Sequence, residues 1–190
     1  MRLSPRHFTR ISLFALLAVP ACHRGALTLD SPSAPSTAPR ITEGNIVAII
    51  LAANNTDLSY ARLVPSRSSN VAVKAFAERM ATDHSILNER ANDIAARNGI
   101  TAEDHPVSLD FRDHSAERRD VLRELKGARF DSTYIANEIQ YHQELLAALA
   151  GALLPNARTP ELREFVMSLK PAVSAHLSHA ETIRAALMKK

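Results

Sequence analysis

The chain is poor in the residues that staple small folds or break helices. It has one cysteine, no tryptophan and five glycines in 190 residues. A single cysteine excludes an intramolecular disulfide, and the absence of Cys-x-x-Cys-His excludes covalently attached haem. No glycine-rich phosphate loop and no nucleophile elbow occurs, and no Ser-His-Asp order stands out. An excess of one charge is missing too. The +3 net charge comes from 23 basic and 20 acidic residues. Arg2, Arg6 and Arg10 fall within the first 21 residues, which contain no acid; without that segment the chain carries 20 of each sign. The basic pI therefore belongs to the N-terminus and not to a phosphate-binding face, which argues against nucleic acid as a partner.

What is present begins with an export pattern. Arg2, Arg6 and Arg10 make a positive n-region, Ile11 to Ala18 a short apolar core, and Val19-Pro20-Ala21 a small-residue site before Cys22. The apolar run falls short of the ~20 residues a spanning helix needs. Residues 1–21 therefore read as a signal peptide. Leu17-Ala18-Val19-Pro20-Ala21-Cys22 resembles a bacterial lipobox, with Val19 and Pro20 as departures, so Cys22 is the expected lipidation site. The expected address is the periplasm, with membrane anchoring through Cys22; His23 after the cysteine points to the outer membrane. Residues 22–41 read as a tether, because Ser31 to Pro39 is too rich in serine and proline to bury a core.

Residues 42–190 carry four amphipathic stretches at helical spacing. The first runs from a Thr42 cap to Val64, with Ile46, Ile50, Ala53, Asp57, Tyr60 and Val64 on one stripe, and Pro65 is expected to end it. The second runs from Asn70 to Asn98 on Val73, Phe76, Met80, His84, Leu87, Ala91 and Ile94, with Gly99 as its left-handed stop. A polar connection follows over 100–114, in which His105 and His114 should be solvated, and then a short extra helix over 115–126. The third long helix covers 130–153 with Tyr134, Glu138, His142, Leu145, Leu149 and Ala152 inward. The fourth runs from a Thr159 cap to Met188 with Leu162, Phe165, Leu169, Val173, His176, Ala180, Ile183 and Leu187 inward; Pro171 should kink or split it. The fold class is all-α, an antiparallel four-helix bundle with a short helix in the crossover.

Three ordered motifs carry a family resemblance. Phe76-Ala77-Glu78-Arg79-Met80-Ala81-Thr82-Asp83-His84, Gly127 to Tyr134 followed by His142, and Leu169-Lys170-Pro171 with His176-Leu177-Ser178-His179-Ala180 resemble an exported, ferritin-like bacterial family of unknown function. Its members are often labelled outer-membrane proteins. The resemblance covers about Thr42 to Lys190, departs from the usual pattern at Lys170 and Asp57, and implies a ferritin-like bundle in the envelope with no established reaction.

The polar residues on the inward stripes are the chemistry to explain. His84, Glu138, His142 and His176 are candidate ligands for iron, zinc or manganese, which imidazole and carboxylate suit. Ferritin-like di-iron sites need Glu-x-x-His on two helices; Ala81, Ile139, Val173 and His176 occupy the positions three before the helical histidines, so that signature is absent. The competing reading is a hydrogen-bonded network without chemistry, and the missing carboxylates tilt toward it and toward a non-catalytic envelope module. Counting ~1.5 Å per residue from the expected turns places Glu138 level with His176 and sets Asp57 roughly 10 Å from His84. Asp83 is expected to pair with Arg79, four residues away.

Overall fold

The computed structural model describes residues 40–189, and every regular element among them is helical. The signal segment, Cys22 and the Ser/Pro stretch lie outside the described residues. Helix α1 (Glu43–Ala61) opens on the expected cap: Thr42 Oγ1 accepts from the Asn45 amide and Asn45 Oδ1 accepts from the Thr42 amide. The chain then departs from expectation. Pro65 does not end the helical descent, because it falls in the first turn of a further short helix, α2 (Val64–Arg67), where no N–H is needed. Helix α3 (Val71–Arg97) starts on Asn70, whose Oδ1 accepts from the Ala72 and Val73 amides, and stops at Gly99 with φ of 64°.

The crossover holds more helix than its polarity implied. Helix α4 spans Pro106–Arg123, not 115–126. Pro106 takes the first helical position, and His105 Nδ1 accepts the Val107 amide as an N-cap. His105 is therefore buried, not solvated, whereas His114 is exposed as expected. Gly127, with φ of 58°, separates α4 from α5 (Gly127–Ala148). Helix α5 passes into a π turn (Leu149–Leu153) and then α6 (Leu154–Asn156), so helical chain runs three residues past its expected end. Helix α7 (Pro160–Leu187) continues through Pro171 without a break. The carbonyl that Pro171 cannot serve belongs to Met167, a residue more than half exposed, so solvent is at hand to satisfy it. Thr159 does not cap α7 with its side chain. Its amide and hydroxyl instead donate to the Glu43 carboxylate at 2.6 and 2.7 Å, tying the start of α1 to the start of α7.

Helix α1 packs along α3 and α4, α5 along α7, and α3 along α7. Covered by both α3 and α4, α1 buries most of its circumference, not the single stripe its periodicity marks. A buried hydrogen bond from Tyr141 Oη to the Ala53 carbonyl, 2.7 Å, joins α5 to α1. The apolar interior divides into two clusters. One gathers Ile46, Ile50, Ile94, Leu145, Phe165 and Leu169. The other gathers Tyr60, Phe76, Met80, Phe130, Tyr134 and Ile183. Along α1, α3 and α7 the sequence passes from one cluster to the other at Asp57, His84 and His176; on α5, Glu138 and His142 straddle the same changeover. The polar residues thus form a layer across the core. Among the described residues no helix is long and apolar enough to cross a membrane.

Candidate metal centre

The layer brings together five side chains from four helices, each almost wholly removed from solvent: Asp57, His84, Glu138, His142 and His176. One ligand atom each from His84, His142 and His176 lies within 4.8 Å of the other two, and the same holds for Asp57, Glu138 and His142. His142 belongs to both sets. The three imidazoles form a triangle with centroids 5.4, 5.4 and 6.1 Å apart. All four sequence candidates therefore sit in the layer, although Glu138 meets Asp57 and His142, not His176.

Asp57 is a correction. It was expected to stand apart from His84, yet His84 Nε2 approaches Asp57 Oδ2 at 3.1 Å. The axial count failed because it ended the first helix at Val64; the extra turn of α2 carries the chain lower before it reverses into α3. The extension through Asn156 lengthens the descent of α5 and brings His142 nearer the level of His176, against which its ring packs.

Each histidine is held by one ring nitrogen; the other is without a partner on His142 and His176, and on His84 it faces only the Asp57 carboxyl. His142 Nδ1 donates to the Glu138 carbonyl at 2.8 Å, and His176 Nε2 donates to Asp83 Oδ2 at 2.9 Å. A carbonyl and a carboxylate only accept, so these bonds place the proton and leave a lone pair on His142 Nε2 and on His176 Nδ1. His84 Nδ1 rests on the Asn54 amide oxygen at 2.9 Å. An amide offers an oxygen or a nitrogen on rotation, so His84 can present Nε2 as a lone pair or as a donor toward Asp57. His84 Nε2, His142 Nε2, His176 Nδ1 and all four carboxylate oxygens of Asp57 and Glu138 are buried without a properly directed hydrogen-bond partner.

Burial sets the electrostatics. It pushes the His84 imidazole down to about 4 and lowers His142, so both rings are neutral near pH 7. His176 is lowered as well, burial outweighing its bond to Asp83. Burial raises the Asp57 carboxyl, and it raises Glu138 further with the help of the neighbouring Asp57 charge. Two adjacent buried carboxylates cannot both ionise cheaply, so in the absence of another cation they retain a proton. Asp83 is different. Partial burial opposes its charge, but bonds from Arg79 (2.6 Å, the expected partner) and His176 outweigh this and hold it below the ordinary carboxylate range.

Two participants escaped sequence reasoning. Asp83 was assigned to Arg79 alone, yet it also anchors His176. Asn54 lies one turn before the expected stripe position of Asp57. Tyr134, on the same inward stripe one turn before Glu138, has a buried hydroxyl, and the Glu138 charge beside it adds to the burial that raises it. The i, i+4 pattern on α3 could have signalled only the Arg79 contact; the α7 partner is a long-range neighbour.

The profile of the family described as Domain of unknown function (DUF4142) matches residues 28–183. The chain belongs to that family. The matched stretch contains all five residues of the buried layer and Asp83 at its edge. No curated protein and no solved structure matches this DUF4142 chain. The residues it presents form a mixed imidazole–carboxylate set of intermediate softness, which suits zinc, iron, manganese or copper better than calcium or magnesium, whose ligands are oxygens.

Proposed function

We propose that the protein binds one divalent transition-metal ion in its polar layer, with His84, His142 and His176 as ligands and Asp57 and Glu138 as charge-balancing or additional ligands. The observation that supports this is the set of buried lone pairs. A self-sufficient network would satisfy both nitrogens of each ring, and leaving such atoms unpaired costs roughly 1–3 kcal/mol each. The arrangement in which one imidazole nitrogen is anchored by a carboxylate or carbonyl while the other is free is the usual support for a metal-ligating histidine. A single ion is favoured by charge. Two carboxylates balance one divalent cation, whereas a second ion would leave two positive charges uncompensated in a buried site. This separates the site from di-iron centres, consistent with the missing Glu-x-x-His. A donor on each of α1, α3, α5 and α7 supports reading the bundle as ferritin-like.

The address is part of the same reading. The n-region, the short apolar core and Cys22 support export and lipid anchoring, which would hold the metal-binding domain in the periplasm at the outer membrane. Cys22→Ser is expected to move the protein from the membrane to the soluble fraction; unchanged partitioning refutes the anchor. Metal analysis of the untagged chain is expected to find one equivalent of zinc, iron or manganese. His142→Ala and His176→Ala are expected to lose it while remaining helical by circular dichroism. A folded wild-type chain that neither contains nor takes up such a metal overturns the proposal.

A further inference from the structure

We propose that the apolar cavity beside His84 admits a dioxygen-sized neutral molecule to the edge of the polar layer, an inference that rests on the metal reading of that layer. The cavity has a volume of about 30 Å³. Ile50, Ala53, Leu87, Leu145 and Val173 form much of its wall, and Asn54 and His84 are its polar lining residues. Its remaining lining includes Leu149 and Leu153, which begin and end the π turn. Such turns widen a helix locally and occur often at functional sites.

The lining decides what fits. A water needs roughly 10–15 Å³ and two to four polar partners, so there is space here but almost nothing to bond. Anions and cations are excluded by the cost of burying charge against apolar walls. The space suits two heavy atoms with no net charge. Asn54 adds one feature: its side chain is buried, its Oδ1 faces His84 Nδ1, and its Nδ2 has no acceptor. A molecule with an apolar body and a weakly accepting end, as dioxygen has, would complete that donor while lying against the imidazole that contributes to the metal centre.

Dissolved dioxygen itself is the probe, since its paramagnetism broadens the NMR signals of methyl groups it visits. The metal-free full chain, labelled at Ile, Leu and Val methyls, is placed under oxygen pressure. Ile50 and Val173 are expected to broaden severalfold more than Ile139 and Ile183, which are buried to a similar extent in the other cluster. Ala148→Leu, at the half-buried end of the cavity, is expected to abolish the excess; Val173→Leu serves the same purpose if that variant does not fold. Equal broadening in the two clusters overturns the proposal, as does an excess that persists in a folded cavity-filling variant. Zinc titration of the same sample separates the two readings. Selective broadening without zinc uptake refutes the metal centre alone, and zinc uptake without selective broadening refutes the cavity alone.

Discussion

Asp83 shows how one side chain can serve a site without entering it. Its carboxylate takes hydrogen bonds from Arg79 at the surface and from His176 beneath, so it orients the ring and raises the basicity of the nitrogen that remains free. Asp83→Asn is expected to lower zinc affinity about 10–100-fold with the fold intact, measured by competition titration. Unchanged affinity would remove Asp83 from the centre. The buried acids and the histidines make opposite demands on pH. Asp57 and Glu138 sit above their ordinary values, so in the metal-free chain their contribution is fullest in acid and is lost as pH rises. The histidines sit below theirs, so their contribution is full above pH 6.5 and is lost as pH falls; for His84 the window runs down to about 4. Asp57→Asn with Glu138→Gln removes the first dependence. The metal-free double variant is expected to be more stable than wild type at pH 7, because the acids it replaces resist ionising there. Between pH 6.5 and 4 it should lose about 3 kcal/mol through His84, read from urea melts. A flat profile over that range would show that His84 is not held neutral by burial.

Among the elements, short pieces of helix decide the geometry of the long ones. The turn α2 and the π turn with α6 set the level at which α1 meets α3 and α5 meets α7. Periodicity detected the long stripes because burial of a helix face repeats every 3.6 residues, and every residue of the α1 stripe is buried. It found only the second half of α4, as the short helix over 115–126, because the polar stretch from Pro106 to His114 resembled a loop. The crossover lies close against α1 at Gly44. A Cβ there would collide with the backbone carbonyl oxygen of Thr101, and the Gly44 carbonyl accepts from the Glu103 amide at 3.1 Å. Gly44→Ala is expected to cost about 1–3 kcal/mol and to speed hydrogen exchange at the Glu103 amide. Native stability in that variant would mean that the 101–104 segment yields without cost.

For the molecule as a whole, the polar layer carries a cost in stability that the proposed metal would offset. It divides the apolar interior where continuous packing would be more favourable, and a bound cation would recover the difference. Zinc at ~1,000 times its dissociation constant adds about 4 kcal/mol. For a domain of about 150 residues this corresponds to a rise in Tm of roughly 8–16 °C, reversed by chelator. A Tm insensitive to zinc would leave the layer without a stabilising ligand.

How far the sequence reached differs between fold and site. The helical class, the four long stripes, the Thr42 cap, the left-handed Gly99 and the inward placing of His84, Glu138, His142 and His176 were all legible, because each rests on local periodicity or on the conformational needs of one residue. Which of those side chains meet was not. Axial level accumulates through every turn, and one helical turn is 5.4 Å, enough to exchange His142 for Glu138 beside His176 and to bring Asp57 to His84. Nor could the sequence tell a satisfied histidine from one with a free nitrogen. That depends on Asn54, Asp83 and the Glu138 carbonyl, acceptors positioned by packing between helices or by the orientation of a ring, and only the tertiary structure determines where such atoms lie.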